Sequence, residues 1–353
     1  MKIAIVHYAA APVIGGVERI IEEHARLLSH HGHIVTILCQ RGTGTRITPG
    51  TLLNELRKHD IAIVHNVFTM PFDLALTEAL WLAPSVVRTI AWTHDIAAAN
   101  PDLAPVPSIL TKAAPGVEYV TISALRQLQL RATLGIENAR IIPNGVDPNR
   151  ILDLPLNVAA LVEREHLFDA SHILIHPTRL LRRKNVETSI RLAQIIPDTR
   201  LIITGPEDPH NPASADYARS LRNLAGPETI FASDHFPVGD TELAALYRVA
   251  DALIFPSHQE GFGLPLLEAR IHRLPAIYSE IEPLTELAGP GFPISPGEPP
   301  DAIARRIAPW LVTISDKRRA LAEYAWPEIY RRHMQSLFDP CIPPIRGLTA
   351  HVL

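Results

Sequence analysis

Two carboxylates, Glu260 and Glu268, stand eight positions apart within FPSHQEGFGLPLLEAR at 255–270, on either side of a glycine-rich turn. The apolar run 252–255 predicts a buried strand, and 265–270, with Pro265 at its start, predicts the first turns of a helix. Between them the loop 259–264 holds Gly261, Phe262, Gly263 and Leu264. The two glycines let the backbone approach a ligand closely. The amides that open the following helix are free donors at a positive dipole end, a setting that favours a sugar diphosphate. Glu260 at the loop can accept hydrogen bonds from two sugar hydroxyls, and Glu268, about a turn into the helix, can take the two hydroxyls of a ribose. A plain strand, turn and helix with a capping glutamate has the same spacing.

The elements that must position such a loop follow the pattern of doubly wound parallel sheets, strands alternating with helices. A first set has strands at 2–7, 34–38, 61–65, 86–92 and 119–122, with helices at 17–30, 49–58 and 124–134. A helical connector at 158–167 leads to a second set. Its strands fall at 173–176, 200–204, 229–232, 252–255 and 275–278, and its helices at 185–196, 213–224, 240–249, 265–272 and 300–314. With 353 residues the chain exceeds the usual limit of one core, so two domains are expected. No short-period repeat is visible, and the likeness of the halves is architectural.

Composition narrows the function classes. The chain is 47% hydrophobic and 20% charged, an ordinary globular balance, and its net charge of -4 argues against a nucleic-acid partner. Its two cysteines, Cys39 and Cys341, have no metal-binding spacing, which fits a reduced, cytoplasmic compartment. MKIAIVHY reads as a strand rather than a leader, and the apolar window 79–92 is interrupted by Pro84 and Arg88, so no span is expected. Residues 1–150 hold thirteen Lys and Arg against twelve Asp and Glu, a balance of +1 with no basic stripe. Peripheral membrane contact is left open, without support. The HHGH run at 30–33 is assigned to a helix end, where histidine suits the negative dipole terminus and glycine the cap, and not to a metal. Gly15 and Gly16 follow the first strand and open its helix without the GxGxxG spacing of a dinucleotide loop. They suit a phosphate or an acceptor, or a turn that packs tightly.

The Glu260–Glu268 spacing, with Pro256, Ser257, Gly261, Phe262 and Gly263, resembles the signature of retaining glycosyltransferase family four. Other segments match in family order: GGVER at 15–19, THD at 93–95, PNGVD at 143–147, PTRLLRRKN at 177–185, and Gly205. The resemblance reaches from Met1 to about Phe338 and omits the proline-rich last fifteen residues.

This resemblance implies an α/β protein of GT-B fold. An acceptor-binding domain at 1–155 and a nucleotide-sugar-binding domain at 156–325 would face each other across a cleft, and a crossover helix and tail at 326–353 would return to the first domain. It further implies transfer of a hexose, glucose or mannose first, from a nucleotide-diphosphate sugar to an acceptor hydroxyl, with retention of configuration. His94 would orient the sugar and stabilise charge near the reacting carbon, and Glu260 would orient the sugar. Arg179 and Lys184 would bind the diphosphate; Lys184 is conspicuous in a chain with 28 arginines and five lysines. Phe236 and Val238 would lie beside the base. Fixed cations would replace a metal, since no Asp-x-Asp occurs, and no cofactor is expected beyond the donor itself. A lipid-linked acceptor, a non-catalytic relative and a sugar-nucleotide epimerase are the alternatives; acceptor, base and oligomeric state are not written in these residues.

Overall fold

The computed structural model describes residues 1–207 and 213–338. By contact the chain divides into two compact units. One comprises Met1–Gly145 and the chain from Trp326, the other Val146–Ala325.

The first unit alternates β1 (Lys2–Ala9), α1 (Gly16–His30), β2 (Ile34–Arg41), β3 (Thr45–Arg46), α2 (Pro49–Leu56), β4 (Ile61–His65), α3 (Leu74–Leu80), β5 (Arg88–Thr93), β6 (Val117–Thr121), α4 (Ala124–Leu134) and β7 (Arg140–Ile141). Its seven strands are all parallel, in the order β3-β2-β1-β4-β5-β6-β7. A parallel sheet is covered on both faces, so its strands are apolar throughout rather than alternating. IAIVH in β4 is buried at all five positions. Successive side chains still point to opposite faces. Ala4, Val6, Ala62 and Val64 enter one apolar layer, while Ile3, Ile5, Ile61, Ile63 and Trp92 enter the other.

The second unit runs α5 (Pro148–Ile151), α6 (Leu156–Arg164), β8 (His172–His176), α7 (Val186–Ile195), β9 (Thr199–Ile203), α8 (Ala213–Leu224), β10 (Thr229–Phe231), α9 (Asp240–Val249), β11 (Ala252–Phe255), α10 (Leu264–Ile271), β12 (Ala276–Ser279), α11 (Leu284–Leu287), β13 (Gly291–Ile294), α12 (Pro300–Ile314) and α13 (Asp316–Tyr324). Its sheet is again parallel, in the order β10-β9-β8-β11-β12-β13. Ile173, Ile175, Leu253 and Phe255 fill one layer, and Leu174, Leu201, Ala252 and Ile254 the other.

The sequence places the first boundary at 155/156, whereas the units divide at 145/146. Residues 146–155 go with the second unit because Arg248 of α9 donates to the carbonyls of Leu152 (2.6 Å) and Asp153 (2.7 Å). The single helix expected at 327–338 is instead a short helix, α14 (Trp326–Ile329), a wide π turn at Tyr330–Met334 and a tight turn at Gln335–Leu337. This path keeps Trp326, Ile329, Met334 and Leu337 on the buried side, in the outer layer of the first sheet. The tail 339–353, with Cys341, lies outside the described residues; Cys39 is buried in β2. Among the described residues no helix is long and apolar enough to cross a membrane.

Candidate functional site

In a doubly wound sheet the loops leaving neighbouring strands diverge where the strand order reverses, and ligands collect there, beyond the carboxyl ends of the strands. In the second unit that point lies between β8 and β11, so the loops 177–185 and 256–263 frame it. These loops are tied together by one main-chain bond and one side-chain bond. His258 N donates to Arg183 O (2.8 Å), and Asn185 Nδ2 donates to Pro256 O (3.1 Å).

Lys184 closes a short turn, Arg182–Lys184, and its Nζ donates to Glu260 Oε1 at 2.5 Å. Ser257 Oγ donates to the same oxygen at 2.6 Å, and Arg183 Nη1 stands 3.5 Å from Oε2. The Lys184 and Glu260 side chains retain only 11% and 5% of their exposure. Burial pulls the lysine below its ordinary pKa, and the hydrogen bond and charge of Glu260 oppose that shift. Nζ also lies 5.1 Å from the centre of the Phe255 ring. Arg179, exposed, follows Thr178 in the same loop. The arrangement therefore concentrates cations around one hydroxyl-accepting carboxylate, at an edge where the N-termini of α7 and α10 present amides. An anionic group and a polyhydroxylated group could be held side by side there.

Gly263 needs no ligand to explain it. It caps α10 with φ +99°, and a Cβ would come within 2.5 Å of Leu284 Cδ2. Gly261 has neither constraint, since open space surrounds its Cβ position. Phe262 and Leu264 project half exposed from this loop. Glu268, on the next turn, accepts from Tyr247 Oη at 2.8 Å. Phe236 and Val238, just before α9, are partly buried against the unit's core.

In the first unit the strand order reverses between β1 and β4, and three histidines gather near the carboxyl ends of its central strands. His7 of β1 bonds through Nδ1 to His65 O (2.8 Å), and His65 Nδ1 lies 3.0 Å from His94 Nε2. His94, immediately after β5, is held by its backbone. Its N–H donates to Asn66 Oδ1 (2.8 Å), and its carbonyl accepts from Arg126 Nε (2.9 Å). Burial lowers its pKa to about 4. Burial thus favours the neutral ring, in which one nitrogen donates and the other accepts. Gly16 opens α1 after Gly15, its N-cap. Neither has positive φ; a Cβ on Gly16 meets nothing, whereas one on Gly15 would collide with the Glu18 carboxylate, which lies 3.7 Å from His7 Nε2. Tight packing therefore accounts for Gly15 and not for Gly16.

Of the residues singled out from sequence, Lys184 and Glu260 are in direct contact, with Arg179 in the same loop as Lys184. Glu268 stands apart on its own partner, and His94, Gly15 and Gly16 belong to the other unit. In the sequence Ser257 and Arg183 lie inside the motifs without a role of their own, Asn66 only opens a candidate acceptor loop at 66–72, and Tyr247, His65 and Arg126 carry no site signal. Ser257, three positions before Glu260, and Arg183, next to Lys184, have local signals; the others are brought in from distant segments by the fold. The HHGH run is structural. His31 caps α1 and stacks on Tyr330 (3.6 Å, 5°), and among the described residues no group of three or more His, Cys, Asp or Glu could hold a metal.

Residues 160–326 match the family model of glycosyl transferases group 1. The serotype-specific mannosyltransferase WbdA of Escherichia coli is 43% identical over 74 residues, 21% of this chain and 9% of that protein. Mannosylglucosylglycerate synthase of Petrotoga mobilis is 24% identical over 271 residues, 65% of this chain and 61% of that protein. Glycogen synthase of Mycobacterium tuberculosis is 38% identical over 117 residues, 32% of this chain and 27% of that protein. The chain thus spans less than two thirds of each of these relatives.

Proposed function

We propose that this chain, whose residues 160–326 form a glycosyl transferases group 1 domain, transfers a hexose from a nucleotide-diphosphate sugar to an acceptor hydroxyl with retention of anomeric configuration. The observation that carries the reading is the Lys184–Glu260–Ser257 contact at the reversal point of that domain's sheet. A cation for a diphosphate and a carboxylate for sugar hydroxyls stand there within one hydrogen bond of each other. Mannose is the first sugar to test, because one relative is named a mannosyltransferase and another a mannosylglucosylglycerate synthase.

In this mechanism Lys184 and Arg179 take up the charge that grows on the diphosphate as the glycosidic bond breaks, so no divalent cation is called for. Glu260, already held by Ser257, accepts from the sugar hydroxyls and fixes the ring. Glu268 accepts from the ribose. The departing phosphate leaves on the face at which the acceptor enters and helps remove the acceptor proton. His94 serves as a neutral hydrogen-bond donor, and Gly15 and Gly16 leave room for a phosphate or the acceptor. Phe236 and Val238 flank the base.

The test is nucleotide release from UDP-, GDP- and ADP-linked glucose and mannose over a panel of hydroxyl acceptors, with chelator present, and the anomeric configuration of the product read by NMR. Lys184→Ala and Glu260→Ala should each lower turnover on the order of a hundredfold. Wild-type rates in both variants, or a product of inverted configuration, would overturn the assignment.

A further inference from the structure

The first unit buries four histidines that the transfer reaction uses only at one point. His7 and His94 are each 5% exposed, and His24 and His65 are fully buried. The rings of His65 and His94 lie nearly parallel (17°), with Nδ1 of the former 3.0 Å from Nε2 of the latter. One of these nitrogens must carry the proton between them. If His94 donated, the neutral His65 would keep its proton on Nε2, a buried atom without a hydrogen-bond partner among the described residues. If His65 donates, Nε2 is left as a bare acceptor.

A buried N–H without a partner is the rarer and costlier of the two. The surroundings point the same way. Trp92 Nε1–H, which can only donate, is also buried and unpartnered, and its ring lies 6.0 Å from that of His65. His24, its ring 5.2 Å from that of His65 and both its nitrogens buried without a partner among the described residues, offers one donor and one acceptor and favours neither, so the balance is set by the donor on Trp92.

We infer that His65 is a positioning residue: its Nδ1–H donates to His94 Nε2 and so fixes the proton of neutral His94 on Nδ1, the atom left to donate to a ligand. The inference rests on the transferase reading only for what that ligand is. The tautomer itself is a property of the free protein. His7 completes the arrangement, since its bond to the carbonyl of His65 requires Nδ1–H and ties down the strand end that carries the donor.

The test separates position from polarity. An asparagine amide can reach the place of a histidine Nδ1, whereas a glutamine amide reaches the place of Nε2 although its volume is closer to histidine. In protein with 15N-labelled histidine, long-range proton–nitrogen correlation, with the His94 signals assigned by their loss in His94→Gln, should show His94 as the Nδ1–H tautomer. His65→Asn should keep it, and His65→Gln and His65→Leu should release it into the other form or an average. With an active donor and acceptor, kcat should fall about tenfold in the glutamine and leucine variants and recover in the asparagine variant, with little change in donor KM. An Nε2–H tautomer of His94 in the wild type, or a His94 tautomer indifferent to all three substitutions, overturns the inference. The expected tautomers in a protein without transfer activity overturn only the functional reading.

Discussion

Replacing Lys184 by methionine should unsettle the second unit well beyond the loop that carries it. The substitution keeps the apolar stem and removes the cation. Glu260, 5% exposed, would be left with the Ser257 hydroxyl at 2.6 Å and Arg183 at 3.5 Å. Removing one partner of a buried pair costs about 3–5 kcal/mol, because the remaining charge is stranded. Arg183 is about half exposed and replaces part of the attraction, at the value of a surface pair, below about 1 kcal/mol. A net loss of about 2–4 kcal/mol follows. Amide exchange by mass spectrometry reads it locally. Protection of peptides covering β8 and β11 should fall about 30- to 900-fold, while β1 and β4 keep theirs. Glu260→Gln in the same chain removes the stranded charge, so Lys184→Met/Glu260→Gln should recover at least about 1.5 kcal/mol relative to the sum of the two single changes. Exchange unchanged within about 0.5 kcal/mol in Lys184→Met, or strict additivity in the double variant, would refute the reasoning, because either result means that the two charges are solvated and uncoupled.

Two further outcomes follow from the geometry. Tyr247→Phe removes the donor that holds Glu268 Oε2 at 2.8 Å; the donor KM should rise about three- to tenfold with kcat within about twofold, since the ribose is remote from the reacting carbon, and a kcat loss at unchanged KM would contradict the role given to Glu268. Stability should also fall in mild acid. Burial lowers the pKa of His24 and His176 to about 3 and that of His94 to about 4, from 6.5. Between about pH 6.5 and 4 the unfolded chain therefore binds more protons, so the stability these groups give is full above about 6.5 and is lost as the pH falls, at up to about 1.4 kcal/mol per unit for each. Denaturant unfolding between pH 7.5 and 5 should show at least two protons taken up per molecule, and a flat profile would mean that these rings are solvated.

What could be read from the residues was whatever the parallel sheet demands locally. IAIVH and ALIF are apolar at nearly every position, as strands covered on both faces must be, and they form β4 and β11. The helix expected at 300–314 is α12 over those same residues, with Pro309 inside it. β13 was hidden because GFPI carries a glycine and a proline, which an edge strand tolerates and a central one does not. β7 is two residues long, too short for any period to register. At the site, Glu260 and Lys184 were visible through their motifs. Their contact was not, because 76 positions separate them and only the reversal of strand order between β8 and β11 brings their loops together. The same holds for His65 and His94, 29 positions apart, and for Tyr247 and Glu268 on successive helices of one layer. At Gly263 the sequence points to a ligand-facing backbone; its positive φ and the packing of Leu284 require glycine there with or without a ligand.

The most direct measurement is the melting temperature of the wild type and of Lys184→Met with UDP, GDP and ADP and with their glucose, mannose and N-acetylglucosamine conjugates, chelator present throughout. A ligand that binds only the folded state must raise the melting point, by about 2.7 kcal/mol of stabilisation at a hundredfold excess over its Kd. The wild type should show a selective rise for one base and its sugar conjugate, and Lys184→Met should lose it. No rise with any nucleotide or nucleotide sugar would contradict the transferase assignment.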